Sequence, residues 1–151
     1  ANDEAAAETL KLIREACRFL RDDPGTRMHY LRLVTGVDRL PAGETPGRIE
    51  MVYHLWSYEK RHGIVLRVHL DRDSPVVDTV CDVWPVANWG EREAFDLMGI
   101  TFKNHPDPRR ILMPKDWVGY PQRKDYPLGY ETVQFTFNFD EIMRQKPHAT
   151  E

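Results

Sequence analysis

The chain has 151 residues, 41% of them apolar and 30% charged, with a formal net charge of −3. That balance excludes intrinsic disorder, which pairs low hydrophobicity with strong net charge, and it excludes the globally basic profile of a nucleic-acid binder. No apolar run exceeds four residues even with glycine counted, so the sequence offers nothing to span a bilayer. The stretch from Ala1 to Glu4 lacks the basic and apolar regions of a secretory signal. A soluble, intracellular, globular protein is expected.

Residues 5 to 22 predict a helix, because Leu10, Ile13, Cys17 and Leu20 recur at steps of three and four. Pro24-Gly25 ends it. Met28 to Val37 predicts a strand with Leu31, Leu33 and Val37 on one side, followed by a loop from Pro41 to Gly47. Ile49 to Tyr58 and Ile64 to Leu70 predict a hairpin whose loop runs from Glu59 to Gly63. Ser74-Pro75 has the form of a helix start, with Val77, Val80, Cys81 and Trp84 as its apolar face. Asn88 and Glu91 have the spacing of a capping box, opening a second helix that runs to Met98 and ends on Gly99. Trp89, Ala94, Phe95 and Met98 are its expected apolar side.

Five prolines between Pro106 and Pro127 exclude a helix there and disfavour a central strand. A compact domain over residues 1–102 is therefore expected, with an extended proline-rich arm over 103–151. That arm ends in a late strand from Thr132 to Phe139 and a patternless tail from Gln145.

Chemistry is scarce. The six histidines show none of the close spacings that build metal sites. Only His54 and His69, opposite each other on the hairpin, are in reach of a shared ion, and solvated surface histidines are the commoner case. No phosphate loop or dinucleotide motif is present. Two cysteines are too few for a disulfide framework or a cysteine-ligated cluster, and Cys17 and Cys81, each on an apolar helix stripe, read as inert packing groups. Glu91 and Glu93 are two apart and share no helix face, which argues against a catalytic carboxylate pair. They are expected to complement the helix dipole, with Arg92 paired to Asp96 at i, i+4. From Lys103 to Pro127 six basic residues face three acids, and Trp117 and Tyr120 lie between Arg109-Arg110 and Arg123-Lys124. A loop folded back on its own domain and a stiff partner-docking segment fit this equally well. Nucleic-acid binding ranks third because the basic excess is small.

From Asn88 to Tyr126 the sequence resembles the C-subunit family of the proton-pumping NADH-quinone oxidoreductase, respiratory complex I. The family pattern is met by Glu91, Arg92, Glu93, Asp96, Leu97, Met98, His105, Arg109, Ile111 and Leu112. The run from Met113 to Trp117, then Gly119, Pro121 and Arg123 to Pro127, is also similar to the family. The resemblance implies an α+β fold in which helices pack in two layers on a small mixed or antiparallel sheet. It implies a non-catalytic assembly component of the peripheral arm, on the cytoplasmic side of the cell inner membrane and attached only through the complex. No catalytic, cofactor or metal residue is expected; FMN and iron-sulfur clusters belong to other subunits. The implied partners are the D, B and I subunits of complex I, met through Arg109, Arg110, Trp117, Arg123, Lys124 and Asp125. An equivalent component of a membrane-bound hydrogenase is the alternative that the same resemblance leaves open.

Overall fold

A computed structural model describes residues 2–43 and 46–127, with side chains from Leu12 onward. Helix α1 (Asn2–Asp22) is followed by β1 (Tyr30–Arg39), β2 (Arg48–Ser57), β3 (His62–Leu70), β4 (Val76–Asp78), α2 (Ala87–Met98) and β5 (Thr101–Lys103). The first three strands form an antiparallel sheet in the order β1-β2-β3, and β4 pairs parallel with β5. The fold is α+β, as the resemblance implies. Among the described residues no helix is long and apolar enough to cross a membrane. The late strand expected at 132–139 and the tail lie outside the described residues.

The alternating pattern of the hairpin sets its buried face. Ile49, Met51, Tyr53 and Leu55 lie opposite Leu70, Val68, Leu66 and Ile64, and together they floor a single apolar cluster. Helix α2 packs over β1, and α1 packs against β4. Ile13 and Cys17 of α1 are buried, and three arginines on the helix reach the 78–83 segment. Arg14 lies 3.5 Å from Asp78, Arg18 pairs with Asp82, and Arg21 donates to the Val83 carbonyl at 3.0 Å.

Four expectations need correction. Strand β1 carries a bulge between Leu31 and Leu33, and one extra residue inverts every side chain beyond it. Leu31 and Val34 are buried, while Leu33 is exposed. The predicted helix from Ser74 is instead strand β4 followed by a turn. The two β-branched residues Val76 and Val77 favour a strand, and the Pro75 carbonyl accepts from Thr101 N–H at 2.8 Å. The helix-like spacing of Val80 and Trp84 comes from one isolated turn, in which Trp84 N–H donates to the Val80 carbonyl. Helix α2 is not opened by a capping box, because Val86 is its N-cap and makes no side-chain cap. The preceding turn supplies the acceptors: Ala87 N–H donates to Trp84 and Asn88 N–H to Pro85. Trp89 is exposed, and the buried side of α2 is built from Ala87, Ala94, Leu97 and Met98 together with two acids, Glu91 and Asp96.

Gly99 closes α2 in the left-handed region at φ 73°, its N–H bonded to the Phe95 carbonyl. A β-carbon there would stand 2.6 Å from the Tyr120 ring. Gly99→Ala combines left-handed strain with displacement of that ring, a loss of about 2 kcal/mol or more. A urea denaturation midpoint that stays unchanged in this variant would contradict the packing described.

Candidate functional site

Helix α2 organises two groups of polar side chains, one on its inner face and one at its C-terminal end. On the inner face Glu91 is fully buried. Its Oε1 accepts from Val80 N–H at 2.8 Å; its Oε2 accepts from the Thr79 hydroxyl at 2.5 Å and the Cys81 thiol at 3.4 Å. Burial raises the Glu91 carboxyl above its ordinary range against the pull of these donors. Burial likewise pushes the Cys81 thiol up to about 12. Thr79 also accepts from Cys81 N–H at 3.1 Å, so one hydroxyl holds both neighbours.

His105 follows β5 and turns its ring inward, its side chain only 2% exposed, with Nε2 3.6 Å from Glu91 Oε2. Its Nδ1 accepts from Asp107 N–H at 3.0 Å, which leaves the proton of the neutral ring on Nε2. Burial lowers the pKa of this imidazole; the Asn88 carbonyl and Asp107 draw the other way, less strongly. Cys81, Glu91 and His105 thus place three kinds of ligand atom within 4.8 Å of one another. Reading by close spacing misses this set because the three residues lie ten and fourteen positions apart.

At the C-terminal end of α2, Asp96 is also fully buried. Its Oδ2 accepts from three successive backbone N–H groups, Ile111 at 3.0 Å, Leu112 at 2.7 Å and Met113 at 2.8 Å. Its Oδ1 accepts from Arg110 Nη1 at 2.6 Å, and the same guanidinium reaches the Trp117 carbonyl. Burial alone would raise this carboxyl, but the N–H groups and Arg110 outweigh it and hold it below the usual range. Arg92 completes the clamp. It donates to the carbonyls of Arg109 and Arg110 at 2.9 and 3.2 Å and pairs with Asp107 at 3.3 Å. The expected Arg92–Asp96 pair within the helix is therefore corrected: both side chains point across to the segment after β5.

A second buried acid, Asp38 on the core face of β1, fastens the far end of that segment. It pairs with Arg72 and accepts from Lys124 N–H at 2.8 Å, while Arg72 also pairs with Asp125 at 3.2 Å. Burial raises the Asp38 carboxyl, and Arg72 with the Lys124 N–H brings it below its ordinary value. Between the anchors, Gln122 N–H donates to the Leu97 carbonyl at 3.0 Å, and the guanidiniums of Arg110 and Arg123 flank the Tyr120 ring. As far as Pro127, the segment expected as an extended arm runs over its own domain as a strap.

The candidate residues divide by direction. Arg110 and Arg123 turn inward, and Arg123 donates to the Arg72 carbonyl. Trp117 buries its indole N–H without a hydrogen-bond partner among the described residues. Arg109 is 76% exposed and, among the described residues, paired only with neighbouring Asp107, at 2.5 Å. Lys124 and Asp125 are exposed residues, as is Glu93 on α2. His54 and His69 do not meet. His69 lies opposite Glu50 and His54 opposite Val65, four residues further along β2, roughly 13 Å at the rise of a strand.

Both anchors are acids with depressed pKa values, so their stabilisation is complete above about pH 4 and is lost as the pH falls through the lower folded values. Asp96→Asn strands Arg110 and weakens the N–H cradle, at a cost of roughly 3–5 kcal/mol. Hydrogen exchange, corrected for its intrinsic rate, checks both. The amides of Ile111 to Met113 are expected to stay protected in the wild-type chain down to about pH 4 and to open at neutral pH in the variant. Equal protection in the two chains at neutral pH would refute the clamp.

The model of the family described as "Respiratory-chain NADH dehydrogenase, 30 Kd subunit" matches residues 9–132. The chain is 52% identical over 139 residues to the C subunit of the NADH-quinone oxidoreductase of Roseiflexus castenholzii, covering 92% of this chain and 78% of that protein. It is 45% identical over 133 residues to the corresponding protein of Herpetosiphon aurantiacus, covering 88% and 76%. Among solved structures it is similar to a chain of the membrane-bound sulfane sulfur reductase, an archaeal respiratory membrane complex. The TM-score is 0.56 at 27% identity, over 77% of this chain and 66% of that one.

Proposed function

Because the chain belongs to the family of the 30-kDa subunit of the respiratory-chain NADH dehydrogenase, we propose that it is a non-catalytic assembly subunit. It serves in the peripheral arm of an NADH-quinone oxidoreductase, on the cytoplasmic side of the cell inner membrane. Electron transfer from NADH to quinone is then an activity of the whole complex, with FMN and iron-sulfur clusters held by other subunits. This chain packs against the D subunit, which carries the quinone site, and against the B and I subunits.

The observation that carries this reading is the construction of the strap. Two buried carboxylates and two inward arginines hold residues 105–127 in one shape. The outer surface of the strap combines basic Arg109 and Lys124 with Leu112 and Val118, which are 56% and 69% exposed. A prefixed surface with exposed apolar and guanidinium groups suits protein docking, since little ordering entropy remains to be lost on contact. Within this proposal Arg109, Lys124 and Asp125 contact the partner, while Arg110, Arg123 and Trp117 brace the docking surface from beneath. Of the six basic residues from Lys103 to Pro127, Arg109, Arg110 and Arg123 are engaged with the chain's own acids and carbonyls, which weighs against a nucleic-acid module.

The similarity to the archaeal sulfane sulfur reductase chain favours one second reading, an equivalent role in a related membrane-bound complex such as a hydrogenase. Purification from the host under mild detergent separates the two by the proteins that accompany this chain. In the same preparation, Arg109→Ala and Leu112→Ser are expected to reduce recovery of the chain with its partners and to leave its denaturation midpoint unchanged. Undiminished recovery in both variants, or unfolding of the chain by Arg109→Ala, would exclude the strap as the docking surface.

A further inference from the structure

The inner-face group of α2 has properties that an assembly role does not require. Cys81, Glu91 and His105 come from the turn after β4, from the helix and from the start of the strap. Their ligand atoms converge in a buried position. The Cys81 sulfur lies 3.4 Å from Glu91 Oε2 and His105 Nε2 lies 3.6 Å from the same oxygen. A tetrahedral ion with ligand distances of about 2.0–2.3 Å separates its ligands by roughly 3.3–3.8 Å, so both measured separations are edges of such a tetrahedron. The His105 side chain is almost fully buried, and among the described residues its Nε2 makes no well-formed hydrogen bond, the Asn88 carbonyl exerting a pull too weak to offset burial. A polar atom left in that state is costly unless something else occupies its lone pair or proton. Behind two of the three ligands the supporting residues are in place: Thr79 and Val80 N–H orient Glu91, and Thr79 steadies the Cys81 backbone. Space exists on two sides. One cavity of ≈ 50 Å³ is lined by Glu91, Phe102 and His105, and a pocket of ≈ 290 Å³ by Thr79, Cys81 and Asn104. The latter reaches Cys81 alone of the three ligands and gives an approach to the sulfur side of the site.

We propose that Cys81, Glu91 and His105 form a binding site for one divalent transition-metal ion of the zinc class. A thiolate, an imidazole and a carboxylate select zinc, cobalt or cadmium over the hard cations calcium and magnesium, which take oxygen alone. On binding, the Cys81 thiol proton leaves to solvent and any proton on Glu91 leaves with it. The His105 proton passes from Nε2 to Nδ1, which gives up its bond from Asp107 N–H. The ion then ties β4, α2 and the root of the strap together through one centre. The inference is independent of the assembly role, since each ligand comes from this chain.

The test is a titration of the full chain with Co²⁺ alone, followed by displacement with Zn²⁺. One Co²⁺ per chain is expected, with a thiolate-to-cobalt charge-transfer absorption and the visible bands of a tetrahedral site. Cys81→Ala removes the charge-transfer absorption, His105→Gln removes saturable binding, and Cys17→Ala changes neither. Thr79→Val, which keeps all three ligands but frees the carboxylate, weakens binding roughly 10–100-fold. Circular dichroism establishes that each variant is folded; should Cys81→Ala fail to fold, His105→Gln and Thr79→Val decide. A wild-type chain without the charge-transfer absorption overturns the proposal. So does an absorption that survives Cys81→Ala and disappears in Cys17→Ala, or an affinity indifferent to both His105→Gln and Thr79→Val.

Discussion

A carboxylate at the closed end of a short helix organises this protein. Asp96 stands where the α2 backbone has begun to expose unpaired carbonyls, an unfavourable place for a negative charge. It is ionised there because three consecutive N–H groups and a guanidinium converge on it. The exchange is reciprocal. The proline-broken segment from Pro106 to Pro114 makes no regular secondary structure, so its N–H groups need an acceptor from elsewhere. Asp96 provides one for three of them at once. Its neighbour Arg92 does the converse, donating to two carbonyls of the same segment. Donors and acceptors that proline denies to a helix or a sheet are thus answered by one acid and one base four residues apart on α2.

This arrangement explains why the helix buries charge on a face that its amphipathic pattern would reserve for apolar residues. The buried acids of α2 face different surroundings and settle in different states. Glu91 meets neutral donors in a buried position, and desolvation prevails, raising its pKa. Asp96 meets a cation and a row of backbone dipoles, and these prevail, lowering it. Five residues of separation on one helix are enough to reverse the outcome, because electrostatics in a low-dielectric interior is decided by the nearest few groups.

In the proposed assembly role the strap links fold to function through rigidity. Asp96 fixes its start, Asp38 its end, and Tyr120 lies against Gly99 between two guanidiniums. The segment therefore presents Leu112 and Val118 outward at a defined position instead of collapsing onto them. The Glu-Arg-Glu run on which the resemblance rests acquires a division of labour: Glu91 inward to the buried centre, Arg92 across to the strap, and Glu93 out to solvent.

Much of this was legible in the chain itself. Period-two alternation sets the β2–β3 hairpin and its buried face, three- and four-residue spacing sets α1, and Gly99 ends α2, because each of these depends on interactions within a few residues. The family was legible too, since its residue types fall in one stretch of α2 and strap. What lay beyond the sequence involves partners distant along the chain. The bulge in β1 follows from pairing with β2, and β4 is a strand because β5, some twenty-five residues later, supplies its neighbour. Glu91 and Asp96, in helical spacing, imitate a cap and an intrahelical pair. Only the folded backbone, by carrying Val80, His105 and Arg110 up to them, decides which charges are buried, which way they titrate, and that three ligand atoms meet.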